Sequence, residues 1–187
     1  MRAVFLDRDG TLNRKAADGD YVKRPSELEL LPGASTAVRR LNQQGVRVVV
    51  VTNQRGIALG RMSERDLEAI HIRLAAELAR DGATVDAIYH CSHDRGVCTC
   101  RKPAPGLFHA ARRDCPQIDF RESAVIGDSL SDVEPGVALG MTTVLAHPDA
   151  GALAAQARAR GMRIDHAAPS LAAAVNWLTD EGRCRTG

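Results

Sequence analysis

Along the chain, short apolar runs alternate with stretches in which apolar residues recur every three or four positions. "AVFL" (3–6) is the first run, and a polar segment without any period follows it. From Pro32-Gly33 a helical pattern continues to Gln44, where Gly45 stops it. "VRVVVVTN" (46–53) is apolar without alternation, as expected of a strand covered on both faces. Ser63, followed by Glu64 and Asp66 in the first turn, opens a charged amphipathic helix running to Arg80. "TVDAIYH" (84–90) predicts the next strand, 105–114 a helix, "SAVIG" (123–127) a strand, and a helix follows Asp128. "TTVLA" (142–146) is a further strand, and "GALAAQARARG" and "SLAAAVNWL" predict the last two helices. Strands separated by helices imply parallel βαβ units: an α/β, Rossmann-like, doubly wound and mainly parallel sheet. Such a sheet binds ligands beyond the carboxyl ends of its strands.

Composition narrows the classes without choosing among them. The 187 residues suit a single domain, 1–187, with a real core. A formal net charge of +2 with scattered basic residues, and only 3% aromatics, argue against nucleic acid and membrane partners. The apolar run in "MRAVFLDRDG" is too short for a signal peptide and no segment has the length of a membrane span, so a cytoplasmic protein is expected. Thiols stay reduced there, and the five cysteines point to metal binding rather than disulfides.

The strand ends carry the chemistry. The first strand runs into "DRDGTLN" with Asp7 and Asp9, and the second ends in Thr52, Asn53, Gln54, Arg55 and Gly56. The third leads to a cysteine loop closing on Arg101 and Lys102, and the fourth to "GDSLSD" with Asp128 and Asp132. Each fragment alone is commonplace, but their joint arrival at one sheet edge suits phosphoryl transfer. A carboxylate can attack phosphorus and be freed by water in a second step. A hard cation with oxygen ligands lets two anions meet, a second carboxyl moves the proton, and Lys and Thr steady the transferring group.

"FLDRDGTLN", "VVVTNQRG", "CRKPAPG" and "VIGDSLSD" resemble, in order, the four motifs of the haloacid dehalogenase superfamily of phosphatases. The resemblance implies Asp7 as nucleophile, Asp9 as general acid/base, and Thr52 and Lys102 as phosphoryl-steadying groups. It further implies Mg²⁺ held by Asp7, Asp128 and the backbone carbonyl of Asp9. Asp132 is left open between a supporting role and a helix-surface acid. With "GDYV", "GIALG" and "KPAPGL" added, the chain is most similar to the D-glycero-D-manno-heptose-1,7-bisphosphate 7-phosphatases. Those enzymes serve lipopolysaccharide-type heptose synthesis; the histidinol-phosphate phosphatases are a related alternative. Arg55 departs from the small residue usual after "TNQ", and is open between a contact to the distal phosphate, a narrowing of the pocket and a solvated side chain.

Cys91, His93, Cys98 and Cys100, within 90–102, offer a full tetrahedral set for Zn²⁺ and leave no position for water, so the zinc site reads as structural. His90 competes for the nitrogen position; the resemblance favours His93. Cys115 and Cys184 look like spectators, His71, His109, His147 and His166 show no partner pattern, and Trp177 reads as a core anchor. Neither gap between the first three strands has room for a separate cap domain. An open site for a small phosphorylated metabolite follows. The resemblance implies that Asp18, Gly19, Asp20 and Tyr21 lie beside the sugar, the alternative being a polar turn with no ligand role. Arg101, with its planar fork, is expected at the far phosphate. A monomer is expected.

Overall fold

The computed structural model describes residues 1–180. Its centre is a six-stranded, all-parallel sheet in the order β3-β2-β1-β4-β5-β6. The strands are β1 (Ala3–Leu6), β2 (Arg47–Asn53), β3 (Ala87–Cys91), β4 (Ala124–Gly127), β5 (Thr142–Ala146) and β6 (His166–Ala168). Five helices join them in turn, α1 (Ala34–Gln43), α2 (Glu64–Arg80), α3 (Gly106–Asp114), α4 (Leu130–Leu139) and α5 (Ala150–Ala159), and α6 (Leu171–Asp180) follows β6. The order reverses at β1, whose neighbours are β2 and β4, so the loops after these strands face one another across a crevice.

The continuous apolar runs are explained by two cores. Val4, Leu6, Val48 and Val50 pack with α1, α2 and α6, through Leu41, Leu74 and Leu178. Ala3, Phe5, Val49 and Val51 face the other way, onto Phe108 of α3 and Val133 of α4. Phe5 meets Phe108 at 5.0 Å and Phe120 at 6.3 Å between ring centroids, a contact that anchors β1 below the loop that begins at Asp7. The Ser63 capping box with Asp66 starts α2 where the sequence indicates.

Three expectations are corrected. β3 begins at Ala87 rather than Thr84, because the Asp86 carboxylate turns back to accept from the Val48 N–H at 2.8 Å. β6 was not predicted: "HAA" lacks β-branched residues and becomes a strand only by pairing with Val144–Ala146. Trp177 is partly buried at the core margin, stacked on His166 at 4.2 Å, rather than a central anchor. Between β1 and β2 lie only a short 3-10 turn (Pro25–Glu27) and α1, and between β2 and β3 only α2, so no cap domain covers the crevice. Cys184 lies outside the described residues. Among the described residues no helix is long and apolar enough to cross a membrane.

Candidate active site

β1 ends at Leu6, and the Asp7 N–H still donates to Ile126 O at 3.0 Å, so Asp7 leaves the sheet with β4 beside it. The chain then turns sharply. Gly10 has φ of 98°, and a Cβ there would lie 2.3 Å from an Asp128 carboxylate oxygen. Glycine is therefore demanded both by backbone conformation and by the approach of Asp128.

Lys102 is the hub. Its Nζ donates to Asp7 Oδ1 at 2.7 Å and to Val51 O at 2.6 Å, and lies 2.8 Å from Asp132 Oδ1. Burial disfavours the ammonium, but Asp132 and Asp7 outweigh it and hold the lysine charged above its ordinary value. Asp132 is thus a buried partner of the lysine, not a surface acid. It closes a capping box with Ser129 at the start of α4, and Gly127 makes room for it: a Cβ there would sit 2.2 Å from Asp132 Cβ. Asn53 fixes the lysine's backbone, donating to Lys102 O at 3.0 Å and accepting from Lys102 N at 3.0 Å.

Asp7, Asp128 and Asp132 bring carboxylate oxygens within 4.8 Å of one another, and Lys15 pairs with Asp128. Burial pushes the Asp7 carboxyl up to about 7; Lys102 opposes this, while Asp132, Asp128 and Asp9 add to it. Burial likewise raises Asp128, with Asp132 adding and Lys15 opposing. Converging oxygen ligands whose joint ionisation is resisted suit a hard divalent cation such as Mg²⁺.

Asp9 sits apart from that cluster. Its carboxylate accepts from Arg8, from Asn13 Nδ2 at 2.9 Å and from Gln54 Nε2 at 2.8 Å; Gln54 Nε2 also reaches Thr52 Oγ1 at 2.8 Å. Thr52 and Gln54 are buried, and Gln54 Oε1 and Thr11 Oγ1 have no protein partner. A 210 Å³ cleft is lined by Asp9, Lys15, Asn53 and the segment carrying Asp18, Gly19, Asp20 and Tyr21. Larger cavities of 490 and 790 Å³ lie at the amino ends of the strands and beside α2, and neither reaches Asp7, Asp9 or Lys102.

The loops around the cleft are tied together by arginines. Arg61 bonds Gly19 O and stands 5.9 Å over the Tyr21 ring, while Lys23 holds Asp20 at 2.8 Å. Arg55 is not simply solvated: its Nε pairs with Asp94 Oδ1 at 2.5 Å, linking the end of β2 to the cysteine loop. That hydrogen bond is the main cause holding the Asp94 carboxyl below its ordinary value, with Arg101 contributing from nearby. Arg101 Nη1 is buried and has no protein partner.

In that loop the Cys91 sulfur lies 3.6 Å from both Cys98 Sγ and His93 Nδ1, and Cys100 lies 3.2 Å from Cys91 and 3.4 Å from Cys98. His93 Nδ1 is 3.2 Å from Cys100. Disulfide sulfurs stand about 2.05 Å apart, so these are free thiols gathered at a point. About 3.8 Å is expected between sulfurs around a tetrahedral Zn²⁺, and the donor set fits that ion. Burial and the other two cysteines push the Cys100 thiol up to about 12, so the sulfurs resist joint ionisation without a cation. His90 stays in β3, paired with Glu64 at 2.9 Å, which leaves His93 as the nitrogen donor of the cluster. Cys115 bonds Gln117 and stands outside it.

The chain matches the haloacid dehalogenase-like hydrolase family over residues 13–140. It belongs to that family. It is 46% identical over 132 residues to D-glycero-alpha-D-manno-heptose-1,7-bisphosphate 7-phosphatase of Mycobacterium bovis, covering 70% of this chain and 69% of that protein. It is 40% identical over 149 residues to D-glycero-beta-D-manno-heptose-1,7-bisphosphate 7-phosphatase of Escherichia coli K12, covering 75% and 76%. The D,D-heptose 1,7-bisphosphate phosphatase of B. bronchiseptica, crystallised with magnesium and phosphate, superposes with a TM-score of 0.85 at 35% identity, over 97% of this chain and 99% of that one.

The structure brings Asp7, Lys102, Asp128 and Asp132 together, and joins Asp9, Gln54 and Thr52 in a second hydrogen-bonded group. Sequence reasoning missed Lys15 on Asp128, Asn13 on Asp9, and the Arg8–His71 contact behind Asp9. Only the position of Arg8 between the two aspartates could have signalled it.

Proposed function

We propose that the protein is a Mg²⁺-dependent phosphatase that removes the C7 phosphate of D-glycero-D-manno-heptose 1,7-bisphosphate. The observation that carries this is the tripod on Lys102, which fixes the Asp7 carboxylate at a strand end beside Asp128, with Asp9 set apart at the cleft. Relatives named for this reaction, in both anomeric forms, supply the substrate.

The Asp7 and Asp128 carboxylates and the backbone carbonyl of Asp9 would hold Mg²⁺, which supplies the positive charge that lets an anionic phosphate approach Asp7. Asp132 is committed to Lys102 and Ser129. Asp7 attacks phosphorus as the C7–O oxygen leaves, and Asp9 gives that oxygen its proton, yielding the aspartyl phosphate and the sugar hydroxyl. Water then attacks the same phosphorus, Asp9 takes its proton, and the P–O bond to Asp7 breaks to release phosphate. Lys102 and Thr52 steady the phosphoryl oxygens. Asp18 to Tyr21, Asn53 and Gln54 border the sugar, and Arg55 and Arg101, both beside Asp94, face its C1 phosphate. Cys91, His93, Cys98 and Cys100 would hold a structural Zn²⁺, whose binding would fix the shape of the loop that ends in Arg101 and Lys102. Residues 1–187 act as one domain, as a cytoplasmic monomer.

The test is kcat/KM with Mg²⁺ for both anomers of the heptose bisphosphate, fructose bisphosphate and histidinol phosphate. One heptose anomer should lead. Preference for histidinol phosphate would transfer the chain to the alternative specificity, and turnover of none would refute the reading.

A further inference from the structure

Arg8 is the largest side chain in the described molecule that is sealed from solvent, at 0% exposure. It lies between Asp7 and Asp9 but points away from Asp7, toward α2. A guanidinium so deeply buried is tolerated only if its hydrogen bonds are met. One edge of the fork faces Asp9: Nε donates to Oδ1 at 3.2 Å, and Nη2 to Oδ1 at 3.1 Å and Oδ2 at 2.9 Å. The other edge reaches His71, with Nη1 3.2 Å from Nε2.

Arginine cannot accept a hydrogen bond, so His71 must present a bare Nε2 and carry its proton on Nδ1. The imidazole is therefore neutral. Burial, then the charge of Arg8, push its pKa down to about 3 and agree with that assignment. The contact spans 63 residues and ties the second turn of α2 to the loop after β1. A simple charge partner for Asp9 would not need it: Asp9 and Arg8 already neutralise one another. What His71 adds is a fixed rotation of the guanidinium plane, and a bidentate fork transmits that rotation to the carboxylate.

We propose that Arg8 and His71 are positioning residues that together set the plane of the Asp9 carboxylate, so that the oxygen through which it takes and gives a proton is directed at the leaving oxygen. Asn13 and Gln54, both buried, hold the same carboxylate by further hydrogen bonds at 2.9 and 2.8 Å. Proton delivery through a misaligned acid is slow, because general acid catalysis depends on a short, directed donor.

This inference rests on the reading of Asp9 as the proton donor, and its test separates the two. An alkyl phosphate needs its leaving oxygen protonated, whereas an aryl phosphate such as p-nitrophenyl phosphate needs little help. Compare kcat/KM for the heptose bisphosphate and for p-nitrophenyl phosphate in four variants. Asp9→Asn should lose about 10²-fold or more on the sugar phosphate and far less on the aryl ester. Arg8→Lys keeps the charge but not the fork, and should lose about tenfold on the sugar phosphate with less than about threefold on the aryl ester. His71→Leu should show the same split more weakly, and His71→Gln, which restores an acceptor, should recover most of it. If Arg8→Lys does not fold, the two His71 variants decide. Equal losses on both esters, or a glutamine no better than leucine, would overturn the proposal. An Asp9→Asn variant without the split would instead remove the role assigned to Asp9.

Discussion

Two clusters in this protein can hold a cation, and they are built in opposite ways. The sulfur cluster is local: Cys91 and Cys100 stand 9 residues apart and touch at 3.2 Å. The oxygen cluster is assembled at long range, with Lys102 reaching Asp7 across 95 residues. The first starts at the buried last residue of β3, Cys91, and continues into an irregular loop where His93 is exposed. The second lies where β1, β2 and β4 end, with Asp7, Asp128 and Asp132 all buried. The local cluster is anchored in the core through Cys91, with Cys98 and Cys100 packed against its margin, and drawing the ligands together would fix the rest of the loop. The long-range cluster is positioned by the sheet whether or not a cation is bound, and Lys102 and Lys15 already offset part of its charge.

Asp7→Asn should sharpen that contrast most. It should cost about 10⁴-fold or more in kcat while leaving the zinc content of the purified protein unchanged, because the fold and the sulfur cluster do not depend on it. Lys102→Met should cost about 10²–10³-fold in kcat and, unlike Asp7→Asn, destabilise the fold. It leaves Asp7 and Asp132 buried without their cation, a loss of about 3–5 kcal/mol by denaturant unfolding at neutral pH. Protonating the two carboxylates relieves that repulsion, so the deficit should shrink as pH falls. A Lys102→Met protein as stable as the parent at pH 8 would show that the tripod carries no structural weight.

Cys100→Ser should break the comparison from the other side. Zinc content should fall and KM for the bisphosphate rise about tenfold, roughly 1.4 kcal/mol of binding, with a smaller change for a monophosphate. The reason is that Arg101 and Lys102 follow this ligand directly, while Asn53 and the tripod still hold the lysine. An equal change for both substrates would detach the sulfur cluster from the distal phosphate.

The last expectation concerns pH. The Asp7 carboxyl is raised from 3.8 to about 7 in the metal-free fold. The folded state then binds the proton more tightly than the unfolded chain, so this group's contribution is fully present below about pH 4 and is lost as pH rises to about 7. A divalent cation competes with that proton. Apparent Mg²⁺ affinity should climb by up to about tenfold per pH unit below 7 and level off above it. Thermal stabilisation by Mg²⁺ should accordingly be larger at pH 8 than at pH 5.5. A shift independent of pH would mean that Asp7 does not meet the ion.

Legibility in the sequence followed the same divide. The cluster of Cys91, Cys98 and Cys100 could be read from ligand chemistry because its members are close along the chain, whereas His93 was preferred to His90 mainly on the family resemblance. The motif residues Asp7, Asp9, Lys102 and Asp128 could be read because the strand pattern places them all at one edge. Asp132 could not be decided, since a helix-start acid has the same local signature whether it faces water or Lys102. Arg55 was equally open, and its partner Asp94 belongs to another loop. The strand β6 was invisible because three small or polar residues carry no period, and only the exposed edge of β5 recruits them.

The sequence by itself determined the alternation of strands and helices, the edge at which the chemistry gathers, and the cysteines of the local cluster. These depend on periodicity and on residues near one another in the chain. Tertiary structure alone decided which charges are buried together: the Lys102 tripod, Lys15 on Asp128, and Arg8 held between Asp9 and His71. Burial and electrostatic pairing act through space, and helices as distant as α2 and α4 must be docked before any of these partners can meet.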